Sequence, residues 1–128
     1  MEKTLFNAWG EPVAYISVRP RHVIFLWGGN PVALLYGTHI YGFNGLHLGW
    51  FINGVVYDAE GKRIGFSSST APLPPCQEPP KEQKQALSKM DSKQEPPPLP
   101  DLGFTFSEES FEAFLKRGEV RLEPERAS

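Results

Sequence analysis

The side chains suited to chemistry in this chain of 128 residues are few. Three histidines, His22, His39 and His47, offer imidazole, Cys76 offers one thiol, and Asp58 and Glu60 place two carboxylates two positions apart. Imidazoles and thiolates that hold a metal recur at short, regular spacings, and these do not. The histidines are therefore expected to be ordinary strand residues, with no metal and no cofactor. Two carboxylates can divide acid and base work between them. Asp58, however, opens the stretch "DAEG", where a short acidic side chain bonds the backbone of a turn, and that structural role is the stronger reading. Cys76 lies in "APLPPCQEPP" with no base nearby to deprotonate it. No G-x-S-x-G, P-loop or dinucleotide pattern occurs, and "WGGN" reads as a turn. With no nucleophile, base and oxyanion donor to assemble, the chain is not expected to be an enzyme.

Aromatic rings are the other candidates. Twelve of the sixteen Phe, Trp and Tyr fall in residues 1–70. Rings on a sheet can stack bases or sugars, but nucleic acid also calls for a basic stripe. The net charge is −2, and residues 1–70 hold only five Lys or Arg. No nucleic-acid or membrane partner is expected. Tyr41, Trp50 and Tyr57 read as core. Trp9, Trp27 and Phe43 sit in turns, where they could rim a pocket or form a protein contact.

The elements that must position these rings come from a repeat. Residues 4–17, 23–36, 39–52 and 55–68 align without gaps. The third column reads Phe6, Phe25, Tyr41, Tyr57, and the seventh Gly10, Gly29, Gly45, Gly61. The tenth reads Val13, Val32, Leu48, Ile64, the eleventh Ala14, Ala33, Gly49, Gly65, and the twelfth Tyr15, Leu34, Trp50, Phe66. Each unit has the form of a β-hairpin, two apolar runs around a short polar loop. In the last, "DAEG" fits a type I turn with Gly61 at φ > 0 and a glycine bulge. In "RIGF", Ile64 and Phe66 are expected on one face and Gly65 on the other, where another backbone approaches. The small eleventh column suggests hairpins crowding at a common point. One hairpin is marginal in water, so four must share a core.

With "Y-x-x-x-G-x-x-h-G-a" as its pattern (h aliphatic, a aromatic), the repeat resembles the bacterial four-fold β-flower family over about residues 4–68. That resemblance implies all-β hairpin petals around a pseudo-four-fold axis. It implies no activity and no catalytic residues, because the family has none established.

Residues 71–100 differ. They hold nine of the thirteen prolines around the polar stretch "KEQKQALSKMDSKQ", which reads as a semi-stiff spacer with a solvated middle. Two P-x-x-P matches there are a by-product of composition. Residues 101–128 form a C-terminal segment with a short helix at about 108–117. Ser107 serves as N-cap, Phe106 and Phe111 as a hydrophobic staple, and Phe111, Phe114 and Leu115 as one apolar stripe. So short a helix must dock, on its own chain or on another.

The organisation expected is a four-hairpin domain at 1–70, the linker and the helical segment. A single cysteine and no long apolar run point to a cytoplasmic protein. The leading functional expectation is a non-enzymatic protein-interaction or scaffold module. It would act through an unidentified protein partner or self-association, with Trp9, Trp27, Phe43, Phe111, Phe114 and Leu115 as contacts. The alternative is a domain binding a small ligand or glycan with its loop aromatics.

Overall fold

The computed structural model describes residues 2–19, 21–87 and 89–119. Residues 120–128 of the expected C-terminal segment lie outside the described residues. The strands are β1 (Glu2–Phe6), β2 (Pro12–Ser17), β3 (Val23–Leu26), β4 (Pro31–Tyr36), β5 (His39–Gly42), β6 (His47–Ile52), β7 (Val55–Tyr57) and β8 (Arg63–Phe66). Each pairs antiparallel with its neighbours in sequence, and β8 returns to β1 to close an eight-stranded barrel. The four expected hairpins are its walls. No described helix is long and apolar enough to cross a membrane.

The repeat works through its turns. The Gly61 amide donates to the Asp58 carbonyl at 3.0 Å, and the Asp58 amide to the Lys62 carbonyl at 2.9 Å. The same pair of bonds closes the turns that begin at Asn7, Leu26 and Gly42. The four column glycines have φ of +80° to +92°, which explains why glycine fills that column. Asp58 is buried, and its carboxylate accepts the Glu60 and Lys62 amides, as the structural reading required.

A bulge follows every turn. Leu5 pairs with Ala14 and Phe6 with Pro12, so Val13 is the unpaired extra residue. Val32, Leu48 and Ile64 are skipped in the same way. A bulge turns two successive residues toward one face, so the tenth and eleventh columns both enter the lumen. This corrects the reading of "RIGF". Ile64 lies in the interior, whereas Phe66 belongs to an outer cluster with Val55 and Tyr57.

The small column makes room for helix α1 (Phe111–Lys116), whose Phe111, Phe114 and Leu115 join the interior cluster. A Cβ on Gly65 would stand 2.5 Å from the Phe111 ring. A Cβ on Gly49 would meet the Phe114 ring at 3.1 Å and collide with the Tyr57 carbonyl. The helix therefore plugs the barrel at its turn end. It starts later than expected, with Ser110 and not Ser107 as N-cap, its hydroxyl accepting the Ala113 amide at 3.1 Å. The reason is an extended bridge that the sequence pattern hides. The Arg63 amide donates to Thr105, and the Ser107 amide donates back to Arg63. Phe106 consequently packs edge-on against Phe66, 5.5 Å between centroids.

The linker is solvated along its length, but it is not a free spacer. The described residues of 71–100 contain no helix or strand, yet they run as a belt around the turns. The Cys76, Gln85, Gln94 and Gly103 amides donate to the carbonyls of Gly10, Gly29, Gly45 and Gly61 at 2.7, 2.8, 2.8 and 3.3 Å. Any Cβ on those glycines would run into the carbonyls of Pro74, Gln83, Ser92 and Asp101 respectively. Both sets step by nine residues, so the tail carries a second repeat. Between these points, Lys84 lies 5.5 Å from the Phe25 ring centroid and Lys93 lies 3.8 Å from that of Tyr36. Belt and helix together cover the outer aromatic wall and one mouth of the barrel.

Candidate functional site

The opposite end of the barrel stays open. There the hairpins are joined by short links, and the lumen ends in the thirteenth column of the repeat, Ile16, Leu35 and Phe51. Its fourth member is Ser67, a polar residue engaged with Thr70 and Ser69. Closure is weakest on that side. β8 ends at Phe66, which pairs with Phe6, so residues 2–5 of β1 have no partner on the β8 side. Ile16, Leu35, Phe51 and the opened seam enclose a cavity of about 740 Å³, with Val18, His22 and Ser68 at its rim. That volume falls in the range of small-molecule sites, and barrel mouths are common places for them.

Charge at this mouth is uneven. Glu2 is engaged by Lys84 and Lys81 of the belt. The hydrogen bond from Lys84 holds the Glu2 carboxyl below its ordinary pKa, with Lys81 adding to it and partial burial opposing. The Glu78 carboxylate accepts the Thr4 hydroxyl at 3.0 Å. Lys3 has no ion-pair partner among the described residues, and its ammonium stands 5.9 Å from the centroid of the Phe51 ring. Apolar floor and free cation therefore face the same space.

The residues singled out from the sequence do not converge. Phe43 is 1% exposed, inside a cluster with Tyr15 and Phe25, because the belt covers that wall. Trp27 is half-buried edge-on to Tyr15, and its indole N–H donates to the Pro79 carbonyl at 3.1 Å. Phe111, Phe114 and Leu115 are consumed by the barrel interior, since the helix docks on its own chain. Phe43, Phe111, Phe114 and Leu115 are thus corrected as contact residues by their burial, whereas Trp27 keeps part of its ring exposed along a cleft. Trp9 alone remains largely open, at 71% exposure. It borders a groove with Phe106 and Arg63, and the 84%-exposed Phe104 stacks on Arg63 at 4.5 Å.

Sequence reasoning missed both features. Phe106 was read only as half of a helix staple, and Phe104 was given no role. The mouth had a signal in the thirteenth column, apolar in three units and serine in the fourth, one position beyond the columns that define the repeat.

Comparison with curated proteins and with solved structures finds no match. A family model described as 4-fold beta flower protein matches residues 3–115, which takes in the barrel, the belt and most of the helix. The chain thus belongs to the 4-fold beta flower family.

Proposed function

We propose that the domain is a non-enzymatic binding module whose open mouth takes a small, largely apolar ligand with an anionic group. The observation that carries this reading is the pairing of the apolar floor with the free Lys3 ammonium over a cavity of about 740 Å³. An apolar body would cover Ile16, Leu35 and Phe51, and burying their remaining surface contributes about 25 cal/mol per Å². Among the described residues, the clefts that Trp27 and Trp9 line at the plugged end are smaller, about 380 and 400 Å³, so this reading relocates the ligand-binding alternative to other residues. The test is fluorescence titration with 1-anilinonaphthalene-8-sulfonate, an amphipathic anion, followed by displacement with decanoate. Saturable binding at one equivalent that Leu35→Asp abolishes and Trp9→Ala leaves intact is expected. Binding indifferent to Leu35→Asp refutes it.

A second reading, contact with protein or with another copy, draws on the exposure of Trp9, Phe104 and Phe106 around one groove. Sedimentation velocity on the parent and on a Trp9→Ala, Phe104→Ala variant tests the self-association form. A parent that stays monomeric at high micromolar concentration counts against it.

A further inference from the structure

On the outer wall of the third hairpin, His39 of β5 and His47 of β6 turn ring nitrogens toward each other, Nδ1 to Nε2 at 3.0 Å. Two neutral imidazoles at that distance share one proton. Whichever ring carries it, His47 Nδ1 is buried with no partner. The rings are walled by aromatics, Trp50 at 4.7 Å and Tyr41 at 5.1 Å from His47 between centroids. Tyr36 lies opposite His39 in the β4–β5 register, and its hydroxyl donates to the Met90 thioether at 3.6 Å. Two imidazoles thus meet in an aromatic recess with a soft sulfur one side chain away. Among the described residues, no third histidine, cysteine or carboxylate joins them at metal-binding distance.

We propose that the His39–His47 pair binds a monovalent cation, copper(I), between its two facing nitrogens. Ligand number and charge decide the class of ion. Divalent zinc seeks about four ligands, commonly including thiolate or carboxylate, and this recess has two neutral nitrogens. Imidazole suits copper, and copper(I) accepts two neutral ligands in line. The Lys93 ammonium already rests on the Tyr36 ring, so a single added positive charge costs less here than two.

The fit requires a modest opening. Metal–imidazole bonds of about 2.0 Å place the two nitrogens about 4 Å apart, roughly 1 Å wider than now. His47 has no hydrogen bond on its second nitrogen to resist the turn. With the shared proton on His39 Nδ1 and His47 protonated at its buried Nδ1, the shared proton passes through water to His39 Nε2. Both facing lone pairs are then free, and no net proton is released.

The test uses the full chain carrying Cys76→Ser, because Cys76 is an exposed thiol that would compete for the ion. Copper(I) is added anaerobically against a chromophoric chelator while tryptophan fluorescence and imidazole ¹⁵N shifts are followed. One equivalent is expected to bind, quench fluorescence and shift the His39 and His47 rings but not His22. His39→Gln and His47→Gln should each weaken binding about 100-fold, with His22→Gln unchanged. The ring shifts are read in the histidine-intact protein, so the result stands even where a variant fails to fold. No stoichiometric binding, a shift confined to His22, or tighter zinc(II) binding at the pair overturns the proposal.

Discussion

Replacing Gly29 with alanine isolates what the belt does. Gly29 has φ +92°, and a left-handed backbone costs an alanine roughly 1–2 kcal/mol. The new Cβ would also collide with the Gln83 carbonyl, which cannot yield without moving the belt. Two bonds go with it, Gln85 N–H to Gly29 at 2.8 Å and Glu82 N–H to Trp27 at 3.1 Å. At about 0.5–1.5 kcal/mol net each, they add about 1–3 kcal/mol. Gly37→Ala is the control, since Gly37 has φ +60° with nothing within 4 Å of an added Cβ. It should cost roughly 1 kcal/mol by denaturant unfolding, against about 2–5 kcal/mol for Gly29→Ala. Hydrogen exchange gives the local reading. The Gln85 amide should exchange about 5- to 150-fold faster, the equivalent of about 1–3 kcal/mol. The Gln94 amide, bonded to the next turn, should keep its protection. Equal costs for the two variants, with Gln85 unchanged, would show that the belt rests on the turns without holding them.

Three further outcomes are expected. Phe114→Ala removes a fully buried ring from the plugged end and should cost about 3–5 kcal/mol by chemical denaturation. Ser110→Ala should cost about 0.5–2 kcal/mol and Ser107→Ala distinctly less, because Ser110 is the cap; the reverse order would restore the earlier helix start. The Glu2 carboxyl has a folded pKa below its ordinary value near 4.5, so the native state binds fewer protons there and the contact stabilises above that pH. The melting-temperature gap between parent and Glu2→Gln should therefore be present at pH 7 and close as pH falls below 4.5; a gap that widens on acidification contradicts the ion-pair assignment.

The hairpins were legible because each turn makes a demand only glycine meets, a φ near +85° with a backbone pressed against it. A bulge was expected at the glycine of the last turn; the bulge that decides which residues face inward lies three residues further on, at Val13, Val32, Leu48 and Ile64. The belt was not legible, because its contacts use backbone carbonyls and amides. Pro74, Gln83, Ser92 and Asp101 occupy equivalent places and share no side-chain property. Proline content was read as stiffness, when the relevant quantity was a spacing. The helix start was misplaced for the same reason, since the Arg63–Phe106 bridge is a main-chain contact and Ser107 and Ser110 are equal as caps on paper. Trp9 was singled out but borders a different groove, and the candidate site at the mouth depends on the strand ends and on a seam that no local pattern announces.

The nine-residue pitch gives the tail an unusual relation to mutation. A ruler is insensitive to what its divisions are made of and intolerant of losing one. Apart from Lys81, Lys84 and Lys93, which reach back to the barrel, substitutions between the anchoring points should pass almost unnoticed. Deletion of a single residue anywhere from Gln77 to Pro100 puts every later anchor out of step with its turn and leaves the plugging helix short of the barrel. Length, more than identity, is what this stretch of chain has to preserve.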